Sequence, residues 1–199
     1  METNFILFAS PLAVVLCIHG CGDCGSRFFT LRYDGASRRN PGPAGTGAVL
    51  FDETGNQRFY TLQFDGACRG NPGPAGAGAV LFDENWNVLN RFRKGLGYQT
   101  NNAAEYHALI LGLEQAIVNG YKHINIQGDS RLVVKQFKGK WRINNPHLRS
   151  LCVEALELRN NFCSYRIKHI PREFNTIADA QANLAVNLQE GQVEADCFY

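Results

Sequence analysis

The stretch that decides the fold is Tyr60–Phe82, which reads YTLQFDGACRGNPGPAGAGAVLF. Every second side chain from Tyr60 to Phe64 is apolar, which is the period-2 pattern of a half-buried strand and places Asp65 on the face opposite Phe64. Glycines and prolines then predict a turn, and the apolar run at 79–82 predicts a second strand. The stretch therefore indicates an antiparallel strand pair with a carboxylate near the end of its first strand.

Downstream of this unit, the pattern changes to an alternation of helices and strands. After a third strand over 88–97, apolar residues recur at helical spacing from Tyr106 to Ile117, and Gly120 ends that helix. Two further strands are expected over 124–128 and 163–170, and three further helices beginning at 132, 147 and 175. The order β-β-β-α-β-α-α-β-α predicts a mixed α/β sheet whose later strands are joined by helical crossovers.

Upstream, residues 30–56 repeat residues 61–87 without gaps and match them at 20 of 27 positions. Two copies are too few for a solenoid, which indicates a partial duplication. Asp34 repeats Asp65, but the acids farther along the chain have no second copy, so two active sites are excluded. If the first copy formed the sheet, the second copy would become a long looped insert, which is uncommon in compact domains. The first copy also has Arg39 at the turn position where the second copy has Gly70. We therefore expect the second copy in the sheet.

Four acids could meet at one edge of the sheet if the first and fourth strands are neighbours, as the crossover geometry allows. Asp65 and Asp129 end strands, whereas Glu105 and Asp179 lie near the starts of helices. Each acid alone also has a structural interpretation as a cap, a turn residue or a group favoured by a helix dipole. Together, four carboxylates require a cation, and hard oxygen ligands favour a pair of Mg²⁺ or Mn²⁺ ions suited to phosphodiester chemistry.

Composition bounds the class of protein. The chain has 199 residues, a net charge of +2, 45% hydrophobic and 19% charged residues, which excludes a disordered polyelectrolyte and a histone-like tail. Between Asp129 and Glu154 lie six cations and no acid, with Trp141 among them. This basic segment is equally compatible with a solvated helix face and with contacts to a nucleic-acid backbone.

Cysteines and apolar runs bear on localisation. Seven irregularly spaced cysteines favour reduced thiols in an intracellular protein, with nucleus, cytoplasm or organelle left open. The apolar run 5–18 is too short to span a membrane and contains Pro11, so we expect no membrane partner. No Lys or Arg precedes that run, which argues against a signal peptide.

Four ordered motifs carry a resemblance to a known family. FDGACRGNPGPAGAGAVL, TNNAAEYHALILGL, IQGDSRLVV and HIPREFNTIADAQANLA resemble the plant and bacterial forms of ribonuclease H, type 1. The resemblance covers about residues 58–189. It implies a ribonuclease H-like α/β fold, a five-stranded mixed sheet flanked by helices, here with a partly duplicated N-terminal strand pair. It also implies metal-dependent cleavage of the RNA strand of an RNA–DNA hybrid.

The resemblance also assigns roles to residues. The acidic tetrad becomes Asp65, Glu105, Asp129 and Asp179, holding two Mg²⁺ ions, with Mn²⁺ as the alternative. Asp65 would bridge both ions, Glu105 and Asp129 would complete the site on the leaving-group side, and Asp179 would bind the ion that activates water. His169 matches a histidine that assists product release or proton transfer, and Arg172 could fill that place instead. The substrate-contacting residues implied are Gly66, Ala67, Asn71, Thr100, Asn101, Asn102 and Arg172.

The expected domain organisation has four parts: an apolar segment 1–29 outside the core, the partial duplicate 30–57, a ribonuclease H domain 58–189, and a tail 190–199. We expect the chain to be a monomer and its partner to be a nucleic acid, an RNA–DNA hybrid. Two alternatives remain open at this point. One is an inactive module that binds RNA–DNA hybrids or double-stranded RNA, and the other is a retroelement-derived ribonuclease H fragment that needs a polymerase partner.

Overall fold

The computed structural model describes backbone and side chains for residues 58–198, and before them the backbones of four strands. The chain divides into two units, Met1–Arg58 and Phe59–Tyr199. The strands of the first unit are β1 (Leu7–Ser10), β2 (Ala13–Ile18), β3 (Arg27–Ser37) and β4 (Ala44–Phe51). They form an antiparallel sheet in chain order. The turn of the first repeat, residues 38–43, lies outside the described residues.

The second unit contains a six-stranded sheet and four α-helices. Its strands are β5 (Tyr60–Cys68), β6 (Gly73–Phe82), β7 (Val88–Gln99), β8 (His123–Gly128), β9 (Ser164–His169) and β10 (Val193–Cys197). Its helices are α1 (Asn101–Val118), α2 (Arg131–Phe137), α3 (Pro146–Arg159) and α4 (Thr176–Ala185), with a 3₁₀ turn at Arg172–Phe174. The strand order is β10-β7-β6-β5-β8-β9, with β8 parallel to both β5 and β9. The remaining pairs are antiparallel, as expected from the chain order.

Both faces of the central strands are covered by helices. On one face, Leu62 and Phe64 of β5 lie in a fully buried cluster with Tyr106 and Leu109 of α1. On the other face, α4 lies directly on β6, because a Cβ at Gly78 would stand 2.4 Å from the Ala182 nitrogen. The glycines of β6 therefore let α4 approach the sheet, and this approach brings Asp179 towards the edge of the sheet.

The sheet has six strands where the sequence predicts five, because the expected tail 190–199 contains β10. Arg93 of β7 explains this pairing, since its guanidinium contacts Glu194 at 2.7 Å and Asp196 at 2.7 Å. β10 alternates Val193, Ala195 and Cys197 with the acids Glu194 and Asp196, but the acids are its half-buried side chains and the apolar ones are exposed. Among the described residues, no helix has both the length and the apolar character needed to cross a membrane.

Candidate active site

Three of the four predicted acids form one compact group. Asp65 lies on β5, Glu105 on the second turn of α1, and Asp129 directly after β8. Each offers a carboxylate oxygen within 4.8 Å of the others. Asp65 and Glu105 are buried and Asp129 is half-buried. The parallel pairing of β5 with β8 produces this arrangement, because both strands end at the same edge of the sheet.

Gly66 allows α1 to bring Glu105 close to Asp65. A Cβ at Gly66 would stand 2.2 Å from the Glu105 backbone nitrogen, so only glycine fits between strand and helix. The Gly66 N–H also donates to Asp65 Oδ1 at 3.0 Å, which fixes that carboxylate. Gly66 is buried. The structure thus gives Gly66 a packing role, while its predicted contact with substrate stays a prediction.

The electrostatics of the group favour a bound cation. Burial, and then the charges of Asp129 and Asp179, raise the pKa of Asp65 to about 8. Burial, and then the charges of Asp65 and Asp129, raise the pKa of Glu105 well above its ordinary value. Glu105 Oε2 is buried and has no hydrogen-bond partner among the described residues. An oxygen buried without a partner, in a set of hard carboxylate ligands, fits a divalent cation.

Asp179, the fourth predicted acid, lies on α4 beside the compact group. It is close enough to Asp65 to raise the pKa of that carboxyl. Its own oxygens have other partners: Arg172 Nη2 lies 2.7 Å from Oδ1, and Asn183 Nδ2 lies 2.9 Å from Oδ2. The side chain of Arg172 is 77% exposed. Arg172, predicted to contact substrate, therefore neutralises Asp179 in this structure.

Asn175 is a site residue that the sequence interpretation missed. It is completely buried at the start of α4. Its Nδ2 donates to the Phe64 carbonyl at 2.9 Å and to Asp129 Oδ1 at 3.3 Å, so this one amide group links β5 to the Asp129 carboxylate. Its Oδ1 is buried without a partner among the described residues. An asparagine before a helix is normally interpreted as a cap, so no pattern in the sequence marks Asn175 as a site residue.

The residues predicted to contact substrate meet at the N-terminus of α1. Thr100 caps the helix, because its Oγ1 accepts from the Ala103 N–H at 3.3 Å. Asn71, from the turn between β5 and β6, accepts from the Asn101 N–H at 3.1 Å. Asn71, Thr100, Asn101 and Asn102 are exposed, and Ala67 is half-buried. The structure thus gathers two distant parts of the sequence at the rim of the carboxylate group.

His169 lies at the sheet edge where β8 ends, and the basic segment covers α2, the start of α3 and the chain between them. His169 is exposed at the end of β9 and pairs in register with Gly128, next to Asp129. In the basic segment, Trp141 follows α2 and is 45% exposed. The Arg131 guanidinium lies 6.0 Å from the centre of its ring. The remaining exposed cations of this segment are Lys138, Lys140, Arg142 and Arg149.

Comparison with known proteins decides the family. A family model described as reverse transcriptase-like matches residues 63–185. The crystal structure of RNase H1 from Halobacterium salinarum is 45% identical, and the match covers 65% of this chain and 98% of that chain with a TM-score of 0.64. The chain belongs to the ribonuclease H family, type 1. The predicted ribonuclease H-like fold is confirmed, with one strand more than expected.

Other ribonucleases H agree with this assignment. The N-terminal RNase H domain of a Mycobacterium tuberculosis protein is 40% identical, with a TM-score of 0.63 over 65% of this chain and 94% of that chain. LC11-RNase H1, solved in complex with an RNA/DNA hybrid, is 35% identical, with a TM-score of 0.61 over 64% of this chain and 96% of that chain. Among curated relatives, the chain spans 62% of Ribonuclease HI of Halobacterium salinarum and 36% of the bifunctional Mycobacterium tuberculosis protein.

Proposed function

We propose that the chain is an endoribonuclease that hydrolyses the RNA strand of RNA–DNA hybrids. The observation that carries the proposal is the compact group of Asp65, Glu105 and Asp129, in which a buried carboxylate oxygen has no hydrogen-bond partner within the described part of the chain. The hybrid bound by LC11-RNase H1, a 35% identical relative, supports the choice of substrate. The four sequence motifs that carry the acids support it independently.

We assign two Mg²⁺ ions as cofactor, with Mn²⁺ as the alternative. Asp65 would be shared, Glu105 and Asp129 would complete one site, and Asp179 would contribute to the other. Bound there, divalent cations neutralise charge on the phosphate and lower the pKa of water, so no protein nucleophile is needed. The exchange of Arg172 for a cation at Asp179 fits this assignment, because the exposed guanidinium is free to swing towards solvent.

The remaining side chains orient the carboxylates and the hybrid. Asn175 holds Asp129, and the Gly66 N–H holds Asp65. Asn71, Thr100, Asn101 and Asn102 offer amide and hydroxyl groups that suit 2′-hydroxyl and phosphate contacts. His169 is assigned to proton transfer or product release, and Arg172 to a phosphate contact once it leaves Asp179. The basic segment adds cations for the backbone of the hybrid.

The decisive experiment compares cleavage with binding. Purified full-length chain is incubated with a labelled RNA–DNA hybrid and Mg²⁺ or Mn²⁺, beside Asp129→Asn and a surface control, Glu157→Gln on α3. We expect the control to match the parent. Asp129→Asn should lose turnover by about 100-fold or more while retaining hybrid affinity, because it removes a ligand charge without changing shape. Hybrid binding by a parent chain that cleaves nothing would instead establish the inactive binding module.

The finer assignments have their own measurements. A monomer is proposed, and sedimentation of the full chain would check it. Intracellular localisation is proposed from the odd number of cysteines, among which Cys68, Cys152, Cys163 and Cys197 are free thiols. Cleavage by the isolated chain, without an added polymerase, would separate a self-sufficient ribonuclease from a retroelement fragment.

A further inference from the structure

A concave site lies beside the carboxylate group on the ribonuclease H unit, and His169 is part of its lining. It is a cleft of about 590 Å³ between the sheet and the segment that leads into α4. Gln63 and Gln127 contribute to its wall, each two residues before a candidate catalytic aspartate. Trp86, Lys168 and Phe174 contribute from three further segments. The volume is in the range of small-ligand pockets.

Trp86 is held in this cleft against the preference of its backbone. Its φ is +66°, in the left-handed region that costs a bulky residue energy. The turn is fixed by Asp83, whose Oδ1 accepts from the Asn85 and Asn87 N–H groups at 2.8 Å each. The first repeat has Gly55 at the equivalent position, which is the residue such a backbone favours. The backbone of this turn therefore does not need the indole, which is 56% exposed and otherwise contacts the Phe82 ring edge-on, at 5.6 Å between ring centres.

Phe174 supplies a second exposed ring to the cleft, beside polar groups. Phe174 is 66% exposed at the end of the 3₁₀ turn. Its carbonyl accepts from Gln63 Nε2 at 3.0 Å, and the same nitrogen lies 3.4 Å from Gln127 Oε1. Lys168 pairs in register with Gln127 and is exposed. Among residues 58–198 it forms no ion pair.

These groups together match the chemistry of one nucleotide. Exposed aromatic rings stack on planar bases, and an ammonium group that forms no ion pair attracts a phosphate. We propose that the cleft binds a single nucleotide, with its base against Trp86 and Phe174 and its phosphate at Lys168. The nucleotide has two sources, a free mononucleotide or an unpaired nucleotide of a strand. The proposal does not depend on hydrolysis of a hybrid.

Calorimetry on the full-length chain tests this site. Titrations with adenosine 5′-monophosphate and with single-stranded hexadeoxyadenylate are run in a chelator, so that no metal ion draws phosphate to the carboxylates. We expect saturable binding of at least one ligand. The Trp86→Gly variant should lose affinity about fivefold or more, as for a lost stacking partner. Its melting temperature is measured alongside, because glycine relieves the left-handed backbone while the ring contact with Phe82 is lost. We expect these two effects largely to offset, so that the variant stays folded at the titration temperature and unfolding does not explain the loss of affinity.

Control variants separate this cleft from the rest of the surface. Lys168→Ala should weaken adenosine 5′-monophosphate but leave adenosine unaffected, whereas Lys122→Ala and Phe198→Ala, which alter exposed groups elsewhere, should change neither. Binding of the mononucleotide identifies a free-nucleotide site, and binding of the oligonucleotide alone identifies a strand site. Absence of binding, or equal affinity in Trp86→Gly and the parent, overturns the proposal. Nucleotide binding by a chain that fails to cleave hybrids would count against the proposed function only.

Discussion

The two copies of the strand–turn–strand unit have the same backbone pairing and different neighbours. In β3–β4 Asp34 pairs with Gly47, and in β5–β6 Asp65 pairs with Gly78, so the registers agree at an offset of 31 residues. β3 pairs with β2 and β4, whereas β5 pairs with β6 and the parallel strand β8. The parallel neighbour brings Asp129 to Asp65. Membership of the acidic group is therefore decided by the strand on the other side, and the local motif alone does not confer it.

The two copies differ at seven positions. At four of these positions the second copy has its residue in a buried site or in a backbone conformation that favours glycine. There Gln63 is buried and hydrogen-bonded, Phe64 and Ala77 are fully buried, and Gly70 has a φ of +98°. The first copy has charged, larger or β-branched residues at these places: Arg32, Tyr33, Thr46 and Arg39. Because a buried charge, an added hydroxyl and a strained backbone are each unfavourable, the six-stranded sheet selects the second copy.

The largest expected effect separates the two equivalent aspartates. Asp65→Asn should reduce hybrid cleavage by about 1000-fold or more, because it removes the carboxylate shared by both proposed ions. Asp34→Asn should leave the rate within about twofold, since no other acid of the tetrad is duplicated. The measurement is single-turnover cleavage at saturating Mg²⁺. Loss in Asp34→Asn with a fully active Asp65→Asn would mean that the first copy is the working strand.

A smaller effect, on the free energy of unfolding, is expected when the aromatic residues at equivalent positions of the two copies, Phe64 and Tyr33, are exchanged. The tip of Phe64 lies against Gly128, where a Cβ would stand 2.4 Å from Cζ. Phe64→Tyr should lower the free energy of unfolding by about 1–3 kcal/mol, because its hydroxyl extends from that same carbon into filled space. Tyr33→Phe, the reverse change, is the matched control. Urea unfolding compares them, and a neutral Phe64→Tyr would show that the sheet does not discriminate at this position.

The turn between β5 and β6 gives a third comparison. Gly70→Arg places a side chain at a φ of +98°, and we expect a loss of about 1–2 kcal/mol. Arg39→Gly supplies the complementary change in the first copy. Thermal unfolding monitored in the far ultraviolet would check both. Equal stability of Gly70→Arg and the parent would remove the backbone argument for choosing the second copy.

The smallest effect concerns stability without metal. The pKa of Asp65 is raised to about 8 by burial and by Asp129 and Asp179. The folded chain therefore holds this proton more tightly than the unfolded one, and stability falls as the pH rises from about 4 to about 8. At pH 8 in a chelator, Asp65→Asn should be more stable than the parent by on the order of 1 kcal/mol, and Asp34→Asn should not. Added Mg²⁺ should erase the difference; a less stable Asp65→Asn in chelator would contradict the electrostatic account.

Much of the fold was predictable because several independent signals agree. Alternation in β5 and helical spacing from Tyr106 to Ile117 each specify one element, and the crossover rule then allows β8 to lie beside β5. The glycine- and proline-rich stretch expected as a turn is mostly strand, because β5 continues to Cys68 and β6 already begins at Gly73. The convergence of Asp65, Glu105 and Asp129 follows from that order. What the sequence could not supply was the set of partners across the fold. Asn175 contacts Asp129 over 46 positions of chain, and no local pattern encodes such a contact.

The other departures have the same physical origin. β10 contains two acids in five residues and becomes a strand because Arg93 neutralises both. Trp86 adopts a left-handed backbone that glycine normally occupies, because Asp83 organises the turn around it. For β10 the partner lies on a strand about 100 residues away, whereas for Trp86 it lies in the same turn; in both cases a polar contact overrides the local preference. The sequence interpretation is therefore accurate for periodic elements and incomplete where specific polar contacts decide.

The hydrogen bond between Asn71 and the Asn101 N–H has a consequence for association. It joins the turn after β5 to the first turn of α1, so the two surfaces expected to contact a hybrid are linked by a direct hydrogen bond. Ordering a mobile side chain on binding costs about 0.5–1.5 kcal/mol each. Because folding has already ordered these two segments relative to each other, that entropic cost is smaller when the hybrid arrives. We therefore expect Asn71 to contribute to hybrid affinity through preorganisation, in addition to the direct contact proposed above.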